Sequence, residues 1–423
     1  MKEVNGRWQR RIWSAGSGGR RGRLQDVSAH ATGVIASETS RPGAVPLDGK
    51  IARTALAFRG YDIANHGRSP ELLAHPIFGP VVRSVLAEVS ELAADVLGRP
   101  VDLATRVESS APTTLESFPD DVAMIVAMEL AQLRLLREFH GIDPAEARLT
   151  FGYSIGELSA LIAGGVYTTE ELLPVPLSLA PDCAELATDT TMGVLFTREP
   201  LLDEDEVRGI CRRIGGEGLG LIGPSAFLSP NTALILGEGR TLDRLEALLP
   251  DELPGRAMLR RNPNRWPPLH SPIVWRKNIP NRAATAMYGV RGGTTRPRPE
   301  VVSCVTGEAS YGPDNSRDLM IGWTDRPQRL WDAIESTLSA GVETIVHVGP
   351  APNLIPATFS RISNNVSKHV NNKMIRRIGS DVVATLSRHA WLAQVLPAKA
   401  CLLRAPFLEH IILEDWLLAR PVA

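Results

Sequence analysis

Only four cysteines occur in 423 residues, and none has C-x-x-C spacing. That excludes a disulfide framework or a zinc knuckle and suits Cys183, Cys211, Cys304 and Cys401 as reduced structural thiols, so the sequence predicts a cytoplasmic protein without a metal site. No apolar run approaches the roughly 20 residues that cross a bilayer, so no membrane partner is expected. An excess of charge is also missing. Lys and Arg total 46 against 47 Asp and Glu, a formal charge of -1, which gives no global attraction for nucleic acid.

The first 48 residues lack the apolar core of a secretory signal. They are instead basic, with Lys2, Arg7, Arg10, Arg11, Arg20, Arg21 and Arg23 against Glu3 before residue 24. We read 1–48 as a disordered basic extension; an organellar transit peptide and a nucleic-acid-binding arm are the alternatives. What the chain has is apolar residues, at 43% of the total, in a length that accommodates one large domain with additions.

From residue 51 strands and helices alternate. Ile51 to Phe58 reads as a first strand delivering the loop Arg59-Gly60-Tyr61. Ser69 to Leu97 and Val122 to Phe139 carry apolar residues at helical spacing. The rhythm changes over 191–262. There a strand, a helix, two strands joined at Ser229-Pro230, a second helix and a last strand give the βαββαβ order of a ferredoxin-like unit. The outer pattern resumes with Val301 to Val305, a helix from Pro327 to Ala340, and Thr344 to Val348 leading to Gly349-Pro350. The expected fold is therefore α/β: a mainly parallel, hydrolase-like sheet over 49–190 and 263–365, with 191–262 inserted as a subdomain. Residues 366–423 read as a helical C-terminal extension, with helices at Asp381 to Leu396 and Phe407 to Leu418 that serve packing or, alternatively, a partner.

One segment carries chemistry. Gly152-Tyr153-Ser154-Ile155-Gly156 has Gly-x-Ser-x-Gly spacing, with the strand-like Leu149-Thr150-Phe151 before it and the helix-like Glu157 to Ile162 after it. The bare pattern is weak. Between a strand and a helix it is a nucleophile elbow, in which flanking glycines relieve crowding and Ser154 projects from the apex. A serine needs a base. Of nine histidines, His270 stands out on the proline-stiffened Trp266-Pro267-Pro268-Leu269-His270-Ser271-Pro272, where the chain re-enters the outer domain; His347 and His140 lie at element ends.

These segments resemble, in order, the malonyl-CoA:acyl-carrier-protein acyltransferases, including the acyltransferase domains of fatty-acid and polyketide synthases. Phe58-Arg59-Gly60-Tyr61 stands where that family has Phe-Pro-Gly-Gln-Gly, and the elbow is similar to its Gly-His-Ser-x-Gly-Glu. Leu228-Ser229-Pro230-Asn231, Pro268-Leu269-His270-Ser271 and Val348-Gly349-Pro350 match later segments, so the resemblance covers about 51–365.

The resemblance implies Ser154 and His270 as catalytic pair and backbone oxyanion donors at Tyr61 and Ile155. It implies a main-chain carbonyl near Arg326-Pro327 orienting the histidine, and Leu179 and Met192 against the substrate. It also implies an acyl-CoA substrate with no bound cofactor, and an acyl carrier protein as acceptor. The chain departs from the family at the acyl pocket. The arginine that binds a malonyl carboxylate falls at about Leu179, and Pro174 to Ala187 contains no Arg or Lys. Pro176 and Pro181 are expected to disturb that helix. Asp120-Asp121 replaces a glutamine and adds negative charge, while Arg260, Arg261 and Arg265 are alternative cations. An uncharged acyl group, a catalytically impaired docking protein and a serine thioesterase are therefore weighed beside malonyl transfer.

Overall fold

A computed structural model describes residues 47, 49–197, 201–253, 257–376 and 399–420. The extension expected over 1–48 lies outside these residues except for Leu47, which is buried, and so does the helix expected over Asp381 to Leu396.

The main sheet is built from β1 (Thr54–Phe58), β2 (Leu149–Gly152), β7 (Glu300–Val302), β8 (Thr344–Val348) and β9 (Glu409–Ile412), in the order β7-β2-β1-β8-β9. Every pairing is parallel. β1 lies at the centre and all five of its residues are buried, as expected of a strand covered on both faces by crossover helices. Burying side chains such as Phe58 and Phe151 contributes about 1.5–3 kcal/mol each.

The helix Phe118–His140 crosses behind this sheet and is buried on most of its circumference. It ends where Gly141 takes a left-handed conformation, φ 63°. The loops after β1, β2 and β8 gather at the carboxyl ends of the strands, where open parallel sheets form their sites.

The second sheet is antiparallel, in the order β4-β5-β3-β6: β3 (Thr190–Phe196), β4 (Ile222–Ser229), β5 (Thr232–Glu238) and β6 (Met258–Arg265). Helices Glu204–Gly216 and Thr241–Glu252 cover one face and share a core of Leu195, Val207, Ile210, Ile235, Leu242 and Leu245. β4 is tied to the loop that precedes the helix Leu330–Ser339, where the Phe227 N–H donates to the Gln328 carbonyl at 2.8 Å and the Gln328 N–H to the Ser225 carbonyl at 2.9 Å.

Two expectations need correction. Phe407 to Leu418 is not one helix. A 3-10 helix, Ala400–Phe407, leads into β9, and only Leu413–Ala419 is α-helical. Leu408, Ile411, Ile412 and Trp416 mimic helical spacing, but a short apolar run is ambiguous, and here it meets the open edge of β8. Residues 399–420 therefore complete the main sheet, so 366–423 is not a helical extension throughout. Nor do the prolines break Pro174–Ala187, which runs continuously with Pro181 inside it. Pro176 falls in the first turn, where N–H groups have no intrahelical partner anyway. The bond lost at Pro181 is offset by packing against Gly79–Leu97, Phe118–His140 and Ile279–Gly289.

Candidate active site

The elbow is as tight as its glycines imply. A side chain at Gly152 would place its Cβ 2.0 Å from the Gly156 carbonyl carbon, and one at Gly156 would lie 2.4 Å from the Phe58 and Arg59 carbonyl oxygens. Only glycine lets β2, the turn and the helix Ile155–Ala163 approach so closely. Ser154 sits at φ 56°, ψ -118°, a costly conformation for a residue with a side chain. It is held from several directions. Its N–H donates to Gln328 Oε1 at 3.1 Å, and its carbonyl accepts from Trp323 Nε1 at 3.0 Å.

His270 arrives from the other sheet's side of the cleft. It is 4% exposed and has φ 65°. Its N–H donates to the Thr324 carbonyl at 2.8 Å, and the preceding Leu269 carbonyl accepts from Ser225 Oγ at 3.1 Å. Nε2 lies 2.7 Å from Ser154 Oγ, and Nδ1 lies 2.6 Å from the Trp323 carbonyl oxygen. A carbonyl can only accept. Nδ1 therefore carries the proton, and the Nε2 lone pair faces the serine hydroxyl. Burial lowers the His270 pKa to about 4, against the raising effect of the Trp323 bond, so the ring is neutral near pH 7. The orienting carbonyl belongs to Trp323, not to the neighbourhood of Arg326-Pro327, because the helix Ser316–Trp323 ends at the imidazole. Its indole also packs edge-on against that ring, with centroids 5.0 Å apart.

The main-chain donors expected at Tyr61 and Ile155 flank this pair. Ile155 opens the elbow helix, and Gly60 lies against the elbow, where an added Cβ would be 3.4 Å from Ser154 Cβ. Neither N–H donates to another described residue. The Tyr61 ring is wedged edge-on between Phe118, at 4.9 Å, and Trp266, at 5.5 Å, so aromatic surface borders the cleft. Leu179 is buried in the main core with Phe118 and Leu269. Met192 packs in a small separate cluster with Leu236 and Ile273, against which Trp266 leans.

Other expected side chains sit apart. His347 is buried on β8 and pairs with His410 at 3.0 Å, and His140 packs on Trp416. Arg261 is bound to Asp243 and Glu246, and Arg260 and Arg265 are exposed on β6. The expected negative charge of Asp120-Asp121 is compensated. Asp121 accepts from Arg106 at 2.7 Å and from Ser117 at 3.0 Å, and Asp120 is paired with Arg99 at 2.6 Å.

Sequence reasoning missed three residues. Trp323 acts through its carbonyl, which no side-chain pattern advertises. Gln328 stands one residue after Pro327, fully buried, and spans the elbow N–H and the vicinity of His270 Nδ1, at 3.3 Å. Arg59 is also fully buried, behind the Tyr61 loop. For Arg59 the available signal was its place where the resembling family has proline, whereas Gln328, among the polar residues Asp325, Arg326 and Arg329, carried none.

No family model matches the chain. Over 305 residues, 70% of this chain, it is 27% identical to polyketide synthase GfsA of Streptomyces halstedii; that stretch is 4% of the synthase's length. Among solved structures it is similar to a malonyl-CoA:acyl carrier protein transacylase from Xanthomonas oryzae, with 22% identity and a TM-score of 0.57 over 73% of this chain and 90% of that one. An acyl carrier protein S-malonyltransferase from Vibrio cholerae matches with 21% identity and a TM-score of 0.56, over 71% and 90%. A malonyl-transacylase solved with a type II polyketide carrier protein gives 22% and 0.57, over 72% and 92%. With its parallel sheet, elbow and second antiparallel sheet, the chain has the fold of the acyl carrier protein S-malonyltransferases.

Proposed function

We propose that the protein transfers an acyl group from coenzyme A to the phosphopantetheine thiol of an acyl carrier protein through an acyl-serine. The observation that carries this reading is the 2.7 Å contact between Ser154 Oγ and a neutral His270 whose Nδ1–H is fixed on a carbonyl. His270 Nε2 takes the hydroxyl proton as Oγ bonds to the thioester carbon. The Tyr61 and Ile155 N–H groups stabilise the tetrahedral oxyanion. The C–S bond then breaks, and the departing thiolate of coenzyme A takes the proton from His270. A carrier thiol reverses these steps: it gives its proton to His270 and attacks the acyl-serine, and Ser154 recovers the proton as the C–O bond breaks. No resident cofactor takes part.

The acyl group in this reading is uncharged. The similar solved structures include S-malonyltransferases, but Pro174–Ala187 offers no cation here. Two cations behind the Tyr61 loop are already engaged, Arg106 by Asp121 and Arg59 by four oxygen acceptors. An unpaired malonyl carboxylate would be buried at a cost of several kcal/mol, whereas an acetyl or longer acyl chain meets the aromatic surface of Tyr61 and Trp266.

Incubation with radiolabelled acetyl-, hexanoyl- and malonyl-CoA, followed by a phosphopantetheinylated carrier, tests the proposal. Label that is stable on the protein and passes to the carrier is expected. Rapid loss to free acid would make the protein a thioesterase, and no label at all would make it a docking protein.

A further inference from the structure

The guanidinium of Arg59 is buried in a place where the resembling family has proline, and nothing in the acyl-serine chemistry above uses it. No carboxylate among the described residues lies within 4.0 Å of it. Its donors go to oxygen atoms of the surrounding loops: Nε to the Gly60 carbonyl at 2.7 Å, one terminal nitrogen to the Pro350 carbonyl at 2.8 Å, and the other to Asn65 Oδ1 at 2.7 Å and the Ala64 carbonyl at 3.4 Å. Asn65 in turn accepts from the Asp62 N–H at 3.0 Å and donates to the Asp62 carbonyl at 2.7 Å, which closes the loop on itself. On the far side Glu414, on the C-terminal helix, accepts from the Arg68 N–H at 2.9 Å and the Ala351 N–H at 3.0 Å, and so clasps the two loops that Arg59 joins from within. Burial disfavours its charge while Asp62, Glu129 and Glu414 favour it, and a guanidinium held so firmly onto loop oxygens calls for a use.

The bond from Nε to the Gly60 carbonyl supplies one. In a trans peptide the carbonyl oxygen and the following N–H point to opposite sides. Gly60 lies against Ser154. With its carbonyl turned away onto Arg59, the Tyr61 N–H of the same peptide faces the other way, and it has no described partner. A charge-assisted bond to the carbonyl also polarises the peptide and strengthens its N–H as a donor.

We propose that Arg59 is a positioning residue that fixes and polarises the Gly60–Tyr61 peptide as an oxyanion donor. This inference rests on the acyl-serine reading. Loss of an oxyanion donor costs on the order of a hundred- to a thousandfold in rate, and misorienting one of two donors is expected to cost about tenfold or more.

The test is single-turnover acylation of the full chain by acetyl-CoA, for the parent, Arg59→Met and Arg59→Lys, with folding checked by circular dichroism. The saturating acylation rate of Arg59→Met should fall at least about tenfold at unchanged half-saturation, and Arg59→Lys should recover a substantial part of it. If Arg59→Met does not fold, Asn65→Ala, which loosens the guanidinium without removing it, should still lower the saturating rate at unchanged half-saturation. Parent-like saturating rates in a folded Arg59→Met, or in Asn65→Ala where it replaces that variant, would overturn the inference and leave the acyl-serine reading intact. A parent that forms no acyl-serine with any acyl-CoA would overturn both.

Discussion

The two sides of the Ser154 hydroxyl are built from opposite materials. On the proton-transfer side every partner is neutral: His270, the Trp323 carbonyl and the Gln328 amide. On the side of the Tyr61 loop a buried cation, Arg59, stands among the buried acids Glu129 and Glu414. The difference follows from what each side handles. A general base needs the right tautomer and a free lone pair, and a carbonyl secures both without a buried carboxylate. An oxyanion develops negative charge, so a donor peptide fixed and polarised by Arg59 through the Gly60 carbonyl lowers the barrier.

Removing the base should break the proton-transfer side most severely. His270→Ala is expected to slow acylation by about a hundred- to ten-thousandfold, read as the single-turnover rate, because an unactivated serine is nearly inert. Next in size is the acyl group. Uncharged acyl-CoAs should acylate Ser154 about ten- to a hundredfold faster than malonyl-CoA, since an absent clamp forfeits roughly 1.5–3 kcal/mol. A clear malonyl preference in parallel rate measurements would mean that a cation such as Arg260 or Arg265 serves the pocket.

The pH dependence separates the two sides more finely. With the His270 pKa lowered to about 4, the acylation rate should hold steady as pH falls through the ordinary histidine range and decline only near pH 4. An inflection near 6.5 in the pH–rate profile would show a solvated imidazole.

The smallest effect concerns stability. Burial raises the Glu129 pKa to about 8 from 4.5, opposed in part by Ser159 and Arg59. Between these values the folded state binds more protons than the unfolded one. The protonated carboxyl is tolerated below pH 4.5, and stability drains away as pH rises toward 8. Glu129→Gln should remove that part of the decline, seen as a flatter curve of thermal midpoint against pH. An unchanged slope would refute the assignment.

The sequence displayed Ser154 and His270 because their neighbours are constrained. Glycines at 152 and 156 mark the close approach, and prolines stiffen the approach to 270. The antiparallel sheet was legible because its strands and helices alternate in a recognisable order. Trp323 was hidden because a carbonyl has no side-chain signature, and the intact Pro174–Ala187 helix because packing overrode local propensity. β9 was hidden because four residues at an open sheet edge imitate a helix. Arg59 was legible only as a departure from a motif; its role depends on the Pro350 and Asn65 oxygens, distant or unremarkable in sequence.

The central claim, that Ser154 becomes acylated with His270 as its base, is tested most directly by peptide mapping of the protein after brief exposure to labelled acetyl-CoA. The account predicts label confined to the peptide containing Ser154, absent from Ser154→Ala and strongly diminished in His270→Ala. Label on another residue, or undiminished label in Ser154→Ala, would contradict it.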